Sequence, residues 1–116
     1  MFHMLSSFNL KDGASQSQFD RAKQALCAHL KDLDLLVSAG PICQRASSTP
    51  MDTDETRAHT LLFVTTFKDQ AQCDAAYDHI NQSSSKAANL HWHMMKNVAN
   101  DAVFSCWSET SVSEPN

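Results

Sequence analysis

The first ten residues alternate. Phe2, Met4, Phe8 and Leu10 fall on one side of the repeat; His3, Leu5, Ser7 and Asn9 fall on the other. A period of two predicts a strand with one strongly apolar face. Lys11-Asp12-Gly13 ends it, because glycine accepts turn conformations that other residues resist. The period then changes. Phe19, Ala22, Leu26, Leu30 and Leu33 recur at spacings of three and four, with Asp20, Lys23, Gln24 and Lys31 between them. That pattern predicts an amphipathic helix over residues 17–32, with Ser15 or Ser17 able to cap it. Residues 35–45 (LLVSAGPICQR) read as a second strand, interrupted at Gly40-Pro41. Proline cannot donate to a ladder, so a bulge or an edge position is expected there.

Residues 46–57 are polar, contain Pro50 and form the longest loop candidate. Residues 58–67 (AHTLLFVTTF), rich in β-branched and aromatic side chains, are the clearest strand. Asp69 stands in a cap position before a second helical stripe of Cys73, Ala76, Tyr77 and Ile80. A linker over 81–85 follows, then a further helix, a last strand over 102–108 (AVFSCWS), and a polar segment over 109–116 that is expected to fray.

The further helix carries the most conspicuous side chains, KAANLHWHMMKNV over 86–98. Ala87, Leu90, His91, Met94 and Val98 make one stripe, opposite Lys86, Asn89, His93 and Lys96. On a helix His91 and His93 are about 200° apart and cannot grip one metal; on a strand they would share a face. The stripe favours the helix. It turns His91 inward and His93 to solvent, and it leaves Trp92 at the flank for an edge or subunit contact.

The order β-α-β-β-α-α-β predicts an α+β protein. The arrangement is a ferredoxin-like split βαβ, with a four-stranded antiparallel sheet and helices on one face. It forms one domain over residues 1–108, with a tail over 109–116. Helices cover one side of such a sheet. Leu5, Leu62, Val64, Phe104 and Cys106 offer more apolar surface than those helices require. Two sheets packed face to face would cover the surplus. The expected partner is therefore a second copy, with Leu5, Leu62, Val64 and Trp92 as interface candidates. The first and third long strands are expected to run parallel and adjacent, which would bring His3 and His59 to the same end of the sheet.

Composition narrows the chemistry. With 116 residues, 42% hydrophobic and 19% charged, the chain is a single globular domain. A formal net charge of −4 without a basic stripe argues against nucleic acid and anionic membrane as partners. The apolar runs are too short to span a bilayer, and residues 1–10 lack a signal-peptide pattern, so a cytoplasmic location is expected. Cys27, Cys43, Cys73 and Cys106 include no C-x-x-C pair and read as reduced small hydrophobes. Two glycines leave no phosphate-cradling loop, and there is no G-x-S-x-G elbow. Asp52, Asp54 and Glu55 lack the template of a calcium loop. No metal or cofactor is expected. His29 and His79 lie among charged neighbours and read as solvated, whereas His3, His59, Phe63, His91 and Trp107 are the candidates for lining a small-molecule pocket.

Phe67-Lys68-Asp69 followed by Ala75-Ala76-Tyr77 resembles a strand-to-helix join of the dimeric α+β barrel superfamily. Leu10-Lys11-Asp12-Gly13 is similar to the end of the first strand in its stress-responsive A/B barrel branch, and VFSCWSE resembles its last strand. The resemblance implies a ferredoxin-like protomer whose sheet packs on a twin to make a barrel. The superfamily includes cofactor-free quinol-type monooxygenases, haem-degrading enzymes, cyclases and members without known activity. Its stress-responsive branch often carries a histidine near the start of the first strand. His3 is similar but offset by one residue when the turns are aligned. No catalytic residue is carried over.

Three functions stand open at this point. The first is a homodimer that binds a small apolar or aromatic molecule, in a pocket between sheet and helices. The second is a cofactor-independent monooxygenase-like enzyme, with His91, His3 or His59 as base and Trp107 or Phe63 as apolar wall. The third is a structural or interaction domain without a pocket.

Overall fold

The computed structural model describes residues 1–111; the rest of the expected tail, 112–116, lies outside the described residues. Strand β1 spans Phe2–Phe8, helix α1 Gln16–Asp32, β2 Ser38–Ala39 and β3 Cys43–Gln44. Strand β4 follows at Leu61–Phe67, α2 at Gln70–Ile80, α3 at Lys86–Met95 and β5 at Val103–Ser108. The strand order is β2-β4-β1-β5, with β3 also on β4, and every pairing is antiparallel.

The second strand is therefore an edge broken into two short pieces. The break falls at Gly40-Pro41, as the missing proline donor requires. Gly40 keeps one ladder bond, its N–H donating to the Val64 carbonyl at 2.8 Å. Its own carbonyl is instead taken by the Lys23 ammonium at 2.6 Å. Lys23, expected on the polar side of α1, is 4% exposed. Its amine also sits 5.0 Å from the centroid of the Phe63 ring, so the break in the edge strand supplies the acceptor that lets this cation go under.

The expected parallel pairing of the first and third long strands does not occur. β1 and β4 are antiparallel, with Phe2 opposite Phe67 and Phe8 opposite Leu61. The reason is topological. The crossover through α1 makes β1 and β2 run the same way, and β4, returning from the β2–β3 edge, inserts between them in the opposite sense. His3 and His59 thus lie toward opposite ends of the sheet.

Each helix starts on the cap its sequence offers. Ser15, Asp69 and Ser85 accept from the backbone N–H three residues on. Gly13 takes φ +79°, the left-handed conformation the turn requires. The core lies between sheet and helices. Phe8, Phe19 and Phe63 pack with ring centroids 4.9 to 6.2 Å apart. Around them are Phe2, Leu26, Leu30, Leu36, Phe67, Ala76, Ala87, Met94 and Val98. Tyr77, read as part of the inward stripe of α2, is exposed instead. At the start of the expected tail, the Glu109 N–H donates to the Met1 carbonyl at 2.9 Å, next to the β1–β5 ladder.

Candidate functional site

The register sorts the strand side chains onto two faces. Phe2, Met4, Ser6 and Phe8 of β1 share the helix side with Leu61, Phe63, Thr65 and Phe67 of β4 and with Phe104 and Cys106 of β5. His3, Leu5 and Ser7 share the other side with Leu62, Val64 and Thr66, and with Val103, Ser105 and Trp107. Leu5 stands opposite Val64, and Ser7 opposite Leu62. Phe104 and Cys106, counted in the sequence among the surplus apolar groups, are therefore not on the uncovered face. They lie on the helix side of an edge strand. Leu5, Leu62 and Val64 do share one face, and Val103 and Trp107 extend it.

Among the described residues no helix or strand packs over that face. Trp107 is 62% exposed there, its indole N–H donating to the Ser105 hydroxyl at 3.0 Å. Trp92 stands elsewhere, 60% exposed on the outer surface of α3, with the Lys96 ammonium 5.4 Å over its ring.

At one end of the open face the 46–57 loop makes a recess of about 570 Å³. Ser7, Leu62, Cys43, Met51 and His59 are among its walls. Arg45 organises the loop. Its guanidinium makes a two-pronged contact to the Asp52 carboxylate at 2.9 and 2.7 Å, and it donates to the carbonyls of Arg57 and Asp54. Arg57 donates to the Asp54 carboxylate at 2.7 Å. These bonds hold Asp52 below the usual carboxylate range and Asp54 at about 2. His59 is positioned by a bond from Nε2 to the Asp101 carbonyl, while its Nδ1 is buried without a partner.

At the other end stands a chain of three polar groups. His3 Nδ1 is 2.9 Å from the Thr66 hydroxyl, and His3 Nε2 is 2.8 Å from the Glu109 carboxylate. The hydrogen bond from His3, with help from the Met1 ammonium at 3.6 Å, holds Glu109 below the usual range.

The other histidines are scattered. His91 is half-buried on α3, and burial alone pushes its pKa down, which favours the neutral ring. His93 is exposed. His29 and His79, expected to be solvated, are partly buried with their rings 6.3 Å apart, and His29 Nε2 has no partner. Among the described residues no group of three or more His, Cys, Asp or Glu is placed to hold a metal. The four cysteines are free, with the Cys73 thiol pushed up to about 11, chiefly by burial.

Phe63, a pocket candidate, is 6% exposed and packed into the core. The space between sheet and helices is filled by such side chains, although the Ser6 and Thr65 hydroxyls are buried there without partners. His3 and Trp107 come together on the open face, opposite one another on β1 and β5. His59 is at the far recess, and Phe63 and His91 are on the helix side. Thr66 and Glu109 were not singled out in the sequence. Their only signal is spacing: Thr66 lies an even number of residues from Val64 on the strongest strand, and Glu109 an even number from Trp107. Among the described residues no helix is long and apolar enough to cross a membrane.

No protein family's model matches the sequence, and no curated protein does. Solved structures do. A protein from Arabidopsis thaliana matches with a TM-score of 0.73 at 13% identity, over 98% of this chain and 100% of that one. A dimeric ferredoxin-like protein of unknown function from Jannaschia sp. matches at 0.65 and 12%, over 93% and 98%. SnoaB, a cofactor-independent oxygenase from Streptomyces nogalater, matches at 0.65 and 6%, over 96% and 94%. With the register above, these likenesses establish the architecture: the chain has the ferredoxin-like α+β fold, shared with proteins described as dimeric and with a cofactor-independent oxygenase.

Proposed function

We propose that the protein works as a homodimer closed over the open sheet face and binds a small apolar or aromatic molecule there. The carrying observation is that face itself: Leu5, Leu62, Val64, Val103 and Trp107 lie together on the side the helices do not cover. A contiguous apolar face of this kind is costly in water and marks an interface. The dimeric description of several proteins of the same fold supports the second copy as its cover. The ligand is placed on this face because the helix–sheet interior is occupied by Phe8, Phe19 and Phe63. Trp107 supplies the aromatic surface. The free cysteines fit a reducing compartment, the cytoplasm.

A second reading is an enzyme of the cofactor-independent oxygenase kind. The fold shared with SnoaB and the half-buried, neutral-leaning His91 favour it.

The face is tested by substitution and light scattering. Leu62→Asp or Val64→Asp places an unpaired charge in the proposed interface and should yield monomers. Phe104→Asp, on the other side of the sheet, should leave the dimer whole. Ligand binding is read in Trp92→Phe protein, where Trp107 is the remaining tryptophan, by quenching of its emission with 4-nitrophenol. Monomer throughout would overturn the dimer, and a dimer without quenching would favour an interaction domain.

A further inference from the structure

The chain of hydrogen bonds at the β1–β5 end has a direction. An ionised carboxylate only accepts, so the proton between His3 and Glu109 sits on His3 Nε2. In the neutral ring Nδ1 is then the acceptor, and the Thr66 hydroxyl donates to it across 2.9 Å. The Thr66 oxygen keeps its lone pairs for a donor arriving on the open face. Glu109 is fixed as well as charged, since its N–H is tied to the Met1 carbonyl and its carboxylate also meets the Met1 ammonium. Trp107 is the direct cross-strand neighbour of His3 on the same face, its ring turned back toward Ser105. The alternation of β1, β4 and β5 thus sets a hydroxyl, an imidazole, a carboxylate and an exposed indole side by side. Only the imidazole and the indole were visible as candidates in the sequence.

We propose that Thr66, His3 and Glu109 form a proton-accepting site for an aromatic ligand bearing an acidic hydroxyl, with the ligand ring lying along Trp107. The proposal rests on the reading that the open face binds an aromatic molecule. The ligand O–H donates to the Thr66 oxygen while the Thr66 proton moves to His3 Nδ1. The ligand becomes a phenolate and the ring becomes an imidazolium held between Thr66 and Glu109. One proton is transferred; no bond between heavy atoms forms or breaks, and nothing is oxidised. The imidazolium is stabilised by the Glu109 carboxylate, and the phenolate by the Thr66 hydroxyl, which it then accepts from.

The probe is 4-nitrophenol, whose phenolate form absorbs in the visible. It is titrated with Trp92→Phe protein at about pH 6, below the ordinary range of the free probe. Trp107 quenching reports binding, and phenolate absorbance reports ionisation. Binding should bring an absorbance rise equivalent to lowering the pKa of the bound probe by about one unit, a tenfold change. His3→Gln and Thr66→Val should quench without that rise. Thr66→Ser should restore it, and Glu109→Gln should diminish it. Quenching with no rise in the wild-type site would overturn the proton transfer alone and leave the binding face standing. An equal rise in His3→Gln would overturn the assigned base. Absence of quenching would overturn this proposal together with the binding reading beneath it. Each variant's far-ultraviolet circular dichroism and thermal unfolding, checked alongside, separate loss of the site from loss of the fold.

Discussion

Lys23 shows how a residue can contradict its own pattern. Its place among the polar positions of α1 was legible, but its partner was not, because the Gly40 carbonyl becomes free only through a strand break 17 positions away in the chain. Replacing Lys23 with Met keeps most of the volume but leaves that carbonyl unpaired. We expect a cost of about 1–3 kcal/mol in denaturant unfolding, and a larger one for Ala, which also opens a cavity over Phe63. Thr65 gives the opposite case. Its hydroxyl is buried without a partner under the helices. Thr65→Val keeps the β-branched shape and removes the unsatisfied group, so the melting temperature should rise, by about 1 kcal/mol of stability. A fall would mean that the hydroxyl pairs with a bound molecule. Of the candidate site, His3 and Trp107 were legible as residue types with chemistry to offer. Thr66 and Glu109 were not, since a hydroxyl or carboxylate becomes functional only through the register that places it beside a base. Sequence alone does not fix register.

At the scale of elements, periodicity located nearly everything, and chain direction was misread once. The helices were legible because their stripes and caps agree, as at Ser15 and Asp69. The β1–β4 pairing was not, because the same strands satisfy their faces in either direction and only the α1 crossover decides. Two tertiary ties now carry testable weight. Gln72 is buried. Its side-chain carbonyl accepts from the Lys68 N–H at 2.7 Å, and its amide donates to the Asp34 carbonyl at 3.0 Å, joining the ends of α1 and β4 to the start of α2. Gln72→Ala should cost about 1–3 kcal/mol, measured by chemical denaturation. The 46–57 loop is tied instead by charge. Asp52 and Asp54 have lowered pKa values in the folded chain, Asp54 to about 2. Their contribution is therefore present above the ordinary carboxylate pKa, about 4, and is lost as pH falls through the folded values. Protection of this loop's amides, taken as exchange relative to the intrinsic rate at each pH, should hold at about pH 5 and fall toward about pH 2, while Arg45→Gln should lower it throughout that range.

The whole molecule is 19 Å in its shortest dimension, the depth of one sheet and one helix layer at roughly 10 Å each. A third layer is what the open face lacks, and a second copy would supply it. The alternation of β1 and β4 foretold this surplus through Leu5, Leu62 and Val64, because period two exposes both faces of a strand to inspection. It misplaced Phe104 and Cys106, whose side depends on the β1–β5 register. The most direct test of the account is native mass spectrometry of the untagged protein, compared with Leu62→Asp. We predict a mass of twice the 12.9 kDa chain for the wild type and a single chain for the variant. A single chain for both, or a dimer for both, would contradict the assignment of the open face.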